Sequence, residues 1–149
     1  MLVPRKSQYA LRAVFELAKR RGEGPVSIAD IAEAQAIPPR FLEAILSQLR
    51  QAGIAASQRG KNGGYSLSRS PEDLTIGQVL RVIQGPVELV DCARDSSTER
   101  CPLSGDCVFW PVWERVREGV SQVYDNTTFQ DLLDQHLHRA GKQAPTWVI

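Results

Sequence analysis

The stretch Ile37–Leu67, IPPRFLEAILSQLRQAGIAASQRGKNGGYSL, decides how the chain is read. Pro38-Pro39 suits a helix start, because proline needs no amide donor in the first turn. From there Leu42, Ile45, Leu46 and Leu49 recur at three- and four-residue steps with Phe41 beside them. That spacing predicts an amphipathic helix over about 39–52, stopped by Gly53 as the residue after the cap. A β-like run, Ile54–Gln58, follows, then the turn Arg59–Gly64 and a second run, Tyr65–Ser68, in which apolar and hydroxyl residues alternate. Alternation of that kind marks a half-buried strand, and the glycines allow a tight reversal. A helix followed by a glycine-rich basic hairpin is the expectation.

Upstream, Leu11, Val14, Phe15 and Ala18 predict a helix over 7–21, closed by Gly22–Pro25. Ser27 and Asp30 form a capping pattern that opens a short helix carrying Ile28, Ile31 and Ala32 inward. Downstream, Thr75 and Gln78 form a capping box for a helix with Ile76, Val79, Leu80 and Ile83 inward, ended by Gly85-Pro86. Phe109, Val112 or Trp113, Val116, Val120 and Val123 then mark a helix of about 15 residues, and Thr128 with Asp131 caps a last short one. The order helix, short helix, turn, helix, hairpin is that of a winged helix-turn-helix. The expected fold is therefore mainly α with one small β-hairpin, with a long C-terminal dimerisation helix appended. The divisions are 1–85 for the winged domain, 86–108 for a cysteine-containing loop, 109–135 for the long helix and the short terminal one, and 136–149 for a loosely ordered tail.

Length and charge fit one such unit. The chain has 149 residues, 42% of them hydrophobic, enough for a core, and a net charge of only +1. That near-neutrality is a cancellation: residues 1–70 carry +6 and the remainder −5. A basic half points to a polyanion, although it can equally neutralise the acidic half within one fold. No run approaches the length of a membrane helix, and Arg12, Glu16 and Lys19 interrupt the start too often for a signal peptide. A secreted mini-protein, a membrane protein and a disordered tail are excluded.

A helix of this kind enters the major groove, where each base pair shows its own donor and acceptor pattern. The groove-facing candidates are Arg40, Phe41, Glu43 and Ser47. Arg40 suits guanine or phosphate, Phe41 a thymine methyl, and Glu43 the cytosine amino group. Phe41 also suits the core, and the charged pair an ordinary solvated face. At the hairpin tip Arg59 and Lys61 suit a wing, with Arg59 directed to a narrow minor groove.

Two blocks, Ile37–Ile54 and Ser57–Leu67 (the pattern S-x-R-G-x-x-G-G-Y-x-L), resemble the recognition helix and wing of the Rrf-two family of winged-helix regulators, the IscR, NsrR, RirA and CymR type. Ser7-Gln8-Tyr9-Ala10, Leu74–Val79 and Cys92 extend the resemblance over about residues 1–135. It implies a dimeric, cytoplasmic transcription regulator that binds double-stranded operator DNA through the recognition helix and Arg59.

Cys92, Cys101 and Cys107 are the only cysteines and lie within 16 residues, spaced C-x8-C-x5-C. An odd number argues against a closed disulfide framework. Thiolates are soft ligands for Fe–S clusters, zinc or Cu(I), but the short C-x₂₋₄-C pairs of zinc sites are absent. A metal-free thiol–disulfide switch, or three unrelated small residues, are the other readings. The family resemblance implies that the three are ligands of an iron–sulfur cluster, 2Fe–2S ahead of 4Fe–4S. IscR-like members have a shorter first gap and a histidine three residues after the last cysteine, where this chain has Trp110. Others use an acidic residue of the partner's first helix, where this chain has Gln8. His136 and His138 read as surface residues of a terminal helix.

The stripe Trp113, Val116, Val120 and Val123 has two readings, packing on its own domain or an isologous seam of a homodimer. Behind a complete winged domain the seam is favoured. The leading function is a transcription regulator switched by an iron–sulfur cluster. The alternatives are a thiol- or zinc-based regulator, and a protein-interaction module acting through the acidic half. An enzyme is not expected: there is no nucleophile–base set, phosphate-binding loop or H-E-x-x-H pair.

Overall fold

The computed structural model describes residues 3–90, 92, 101–103 and 105–143. Helices α1 (Arg5–Lys19), α2 (Ile28–Gln35) and α3 (Pro39–Gln51) precede strands β1 (Ala55–Gln58) and β2 (Gly64–Leu67), and α4 (Ile76–Gln84), α5 (Trp110–Asn126) and α6 (Phe129–Gln143) complete the chain. This is a winged helix-turn-helix with an appended helical arm. Helix α1 is central and packs against α2, α3, α4 and α6. Its Ala10, Ala13, Val14 and Leu17 meet Leu42, Ile45, Leu46 and Leu49 of α3 and Val79 of α4 in one buried core.

Local chemistry sets the joints. The Ser27 hydroxyl accepts from the Asp30 amide at 3.1 Å to start α2. Thr75 and Gln78 cap α4 reciprocally, each side chain accepting from the other's backbone amide. Thr128 and Asp131 do the same for α6. Between α2 and α3 the chain reverses at Ala36, which adopts a left-handed conformation, φ 50° and ψ 49°. A non-glycine residue rarely sits there, and Ile37 N–H donating to the Ala32 carbonyl at 3.0 Å fixes it.

The wing is an antiparallel hairpin in which Ala55 faces Leu67 and Gln58 faces Gly64. Turn freedom explains Gly60, at φ 115°, but not the Gly63-Gly64 pair. A Cβ at Gly63 would overlap the Gln58 carbonyl, and one at Gly64 would overlap the Val26 carbonyl. Close backbone approach demands both glycines: Gly63 within the hairpin itself, and Gly64 because Val26 and Tyr65 exchange two hydrogen bonds of 2.8 Å that tie the wing to the entrance of α2.

The C-terminal region differs from expectation. A short helix followed by a loose tail from 136 is replaced by a 15-residue helix, α6, that runs to Gln143. Phe129 at its start is fully buried in the core of the winged head, and Leu132 and Leu133 pack against it. The helix persists because that burial anchors its first turns. Residues 144–149 of the expected tail lie outside the described residues. Among the described residues no helix is long and apolar enough to cross a membrane.

Candidate nucleic-acid interface and cysteine loop

Helix α3 divides cleanly. Leu42, Ile45, Leu46 and Leu49 are buried, while Arg40, Phe41 and Glu43 are exposed on its first turns and Ser47 is half-buried a turn later. Phe41 is 40% exposed, so it does not belong to the core. Its ring lies 5.7 Å from that of Tyr9 on α1, and the Arg40 guanidinium stands 4.8 Å over it. Arg59 and Lys61 are exposed at the wing tip. Arg50 Nη1 donates to Ser57 Oγ at 3.3 Å, linking the last turn of α3 to the hairpin.

Sequence reading missed Glu16. It is fully buried, and its carboxylate accepts from Arg20 Nε at 2.6 Å, Gln35 Nε2 at 2.7 Å and Lys19 Nζ at 3.2 Å. Burial pushes this carboxyl up, but the bonds from Gln35, Arg20 and Lys19 outweigh it and hold it below the usual glutamate value. Gln35 ends α2, and its carbonyl accepts from Arg12 Nη1 at 3.3 Å. The residue before the Ala36 reversal is thus clamped to α1 at both its side chain and its backbone. The available signal was a glutamate among the inward residues of α1, with Lys19 and Arg20 three and four positions on.

A second joint links α4 to the α5–α6 corner. Ile76 N–H donates to the Thr127 carbonyl at 3.0 Å, Phe129 N–H to the Leu74 carbonyl at 2.9 Å, and Arg81 pairs with Asp125. Ser7 of α1 is buried and donates to Gln84 Oε1 at 2.6 Å, which fixes the other end of α4 to the core.

Helix α5 has no buried residue. Trp113, Val116 and Val123 are 37%, 44% and 63% exposed, Val120 is half-buried, and Phe109 and Trp110 are also exposed at its start. An apolar stripe of this length open to water is a liability unless another surface covers it.

Cys92, Cys101 and Cys107 are free thiols, the first exposed and the others half-exposed. Residues 91, 93–100 and 104 of the loop lie outside the described residues. Three reachable thiols form a donor set that suits a thiophilic group. Among the described residues, however, no three Cys, His, Asp or Glu side chains converge as a metal site. Gln8 uses its amide to donate to the Val3 carbonyl at 2.8 Å. His136 stacks edge-on against Phe15, its ring 5.6 Å away, as a packing residue of α6.

A family model described as Rrf2, an iron-dependent transcriptional regulator, matches residues 3–135. The chain is 37% identical over 132 residues to the HTH-type transcriptional regulator CymR of Bacillus subtilis (strain 168), covering 89% of each chain. Its fold is similar to that of T. potens IscR, with a TM-score of 0.75 and 34% identity, over 91% of this chain and 88% of that one. It is also similar to the structure of CymR (YrzC), titled the global cysteine regulator of B. subtilis, with a TM-score of 0.71 and 35% identity over 91% and 98% of the two chains.

Proposed function

The chain belongs to the Rrf2 family of DNA-binding transcription regulators, and on that premise we propose that the state of Cys92, Cys101 and Cys107 sets its operator affinity through a homodimer built on α5. One observation carries this reading. Helix α5 begins three residues after Cys107, leaves its apolar stripe uncovered, and ends at the Arg81–Asp125 joint with the DNA-binding head. A single element connects the thiols, the dimer seam and the reader.

In this reading α3 lies in the major groove of operator DNA, with Arg40, Phe41, Glu43 and Ser47 toward base edges and phosphates. Arg59 enters the minor groove, and Lys61 takes a phosphate. Trp113, Val116, Val120 and Val123 pair with their copies across a two-fold axis. Binding two half-sites then requires recognition helices about 34–36 Å apart, so a small change in how α5 leaves the cysteine loop alters the fit of both. The protein works in the cytoplasm, where its DNA is.

The group assigned to the loop is an iron–sulfur cluster, 2Fe–2S ahead of 4Fe–4S, held by Cys92, Cys101 and Cys107. When bound it supplies a redox-sensitive, labile link among three points of the loop. The family model's description as iron-dependent and the three reachable thiols support it. With Trp110 and Gln8 at the places where relatives carry a histidine or an acid, the fourth position falls to another group or a solute. A second reading, a thiol- or zinc-based regulator without a cluster, is favoured by the three free thiols and by the likeness to a global cysteine regulator.

The interface is tested with a duplex selected from a randomised library. Arg59→Ala should weaken binding at least about tenfold, the scale of a lost charged groove contact. Equal affinity would instead favour a protein-interaction module.

A further inference from the structure

We propose that Tyr9, on α1, is a positioning residue of the DNA-reading surface: it holds Phe41, and through Phe41 the Arg40 guanidinium, in the orientation that α3 presents to the major groove. The proposal rests on the placement of α3 in that groove.

An exposed phenylalanine and an arginine on the first turn of a helix ordinarily sample several rotamers, and ordering them on binding costs affinity. Here each has a partner already in the free protein. The Tyr9 and Phe41 rings lie 5.7 Å apart at 35°, within the range of a favourable aromatic pair. Arg40 stands over the same Phe41 ring at 4.8 Å, and Arg12 over the Tyr9 ring at 5.8 Å. The four side chains form one continuous row of contacts, Arg12–Tyr9–Phe41–Arg40, that crosses from α1 to the reading helix. Its α1 end is anchored. Tyr9 is half-buried against the core beside the fully buried Ala10, and Arg12 also reaches the Gln35 carbonyl at the end of α2.

This contact bears on what Arg40 can offer. Held over the Phe41 ring, the Arg40 guanidinium has less rotamer freedom, and its N–H fork can meet a guanine edge or a phosphate with two bonds. Lifted from the ring, the same group is a mobile cation that attracts phosphate without reading a base. Tyr9 therefore acts on base preference more than on general attraction.

The test measures affinity of the full-length protein for a duplex selected from a randomised library, for its single-base-pair variants and for a scrambled duplex, over a salt series. Tyr9→Met and Tyr9→Leu keep apolar volume and remove the ring, and thermal midpoints check folding. Both should weaken the selected duplex about two- to tenfold, the worth of one aromatic pair. Preference should flatten at the base pairs that Arg40→Ala and Phe41→Leu also flatten, with scrambled-duplex affinity and salt slope unchanged. Tyr9→Phe should match the wild type, and Tyr9→Met should add little in a Phe41→Leu background. If Tyr9→Met and Tyr9→Leu keep wild-type base preference, or weaken both duplexes equally, while Arg40→Ala and Phe41→Leu flatten it, Tyr9 has no positioning role and α3 still reads DNA. If Arg40→Ala and Phe41→Leu also leave preference intact, the placement of α3 fails and the proposal fails with it.

Discussion

Arg81 and Asp125 form a two-point ion pair, Nη2 to Oδ1 at 2.5 Å and Nη1 to Oδ2 at 3.3 Å, that fastens the end of α5 to α4. Gly77 lies directly beneath it, and a Cβ there would overlap Asp125 Oδ1. Both charged partners are more than 40% exposed, so the pair contributes at most about 1 kcal/mol of stability. It acts beside the backbone bonds of the same corner, Ile76 N–H to the Thr127 carbonyl and Phe129 N–H to the Leu74 carbonyl, where the arm leaves the head.

Gly77→Ala displaces the Asp125 carboxylate, while alanine favours the helix by at most about 1 kcal/mol. The two effects nearly cancel. The variant should melt within a few degrees of the wild type, yet show a smaller difference in operator affinity between the states of the cysteine loop. A variant with the full wild-type difference would show that the joint transmits nothing. The measurements are calorimetry and operator titration of paired preparations.

Glu16 is held below the usual glutamate pKa, because the bonds from Gln35, Arg20 and Lys19 overcome the opposing effect of burial. A depressed carboxyl contributes stability above its unfolded value, 4.5, and that contribution is lost as the pH falls through the folded value. Glu16→Gln should therefore cost about 1–3 kcal/mol at neutral pH, a gap that narrows as the pH falls below the ordinary glutamate range. Denaturant unfolding from pH 7 to pH 3 checks this. Parallel curves for the two proteins would contradict it.

Val116→Glu with Val120→Glu places charge in the α5 stripe without touching the core, since α5 has no buried residue. The doubly substituted chain should fold, sediment as a monomer and bind a two-half-site operator at least about a hundredfold more weakly, through loss of linked binding. A dimer that survives the change would move the seam elsewhere.

Much of this was legible from local rules. The capping pairs at Ser27, Thr75 and Thr128 and the Pro39 start placed α2, α3, α4 and α6 to within a residue or two at their N-terminal ends. The end of α6 was not legible. Leu137, His138 and Arg139 are exposed, so periodicity weakens after Leu133, whereas the packing of Phe129, Leu132 and Leu133 on the head and of His136 on Phe15 appears only in the folded chain. Glu16 was hidden for the same reason: a carboxylate on an inward face shows its partner Gln35 only once α2 has packed against α1. The Gly63-Gly64 pair read as a turn signal, whereas the Val26 backbone that demands the second glycine lies far away in sequence. Which face of α3 is exposed was readable, because burial of Leu42, Ile45, Leu46 and Leu49 leaves the other side to solvent. How the three cysteines sit in space was not, since a loop has no periodicity to constrain it.

Whether the cysteine loop governs DNA binding is decided by operator titration of anaerobically purified protein before and after chelator treatment, alongside the Cys92→Ser, Cys101→Ser, Cys107→Ser triple variant. Iron, sulfide, zinc and visible absorption are measured on the same samples. Iron and sulfide are expected in the wild type only, with an operator affinity that shifts about five- to a hundredfold on their removal. Metal-free wild-type protein whose affinity changes on thiol oxidation would replace the cluster by the thiol switch. Equal operator affinity for the treated, untreated and triply substituted proteins, in reducing and oxidising buffer alike, would contradict the account.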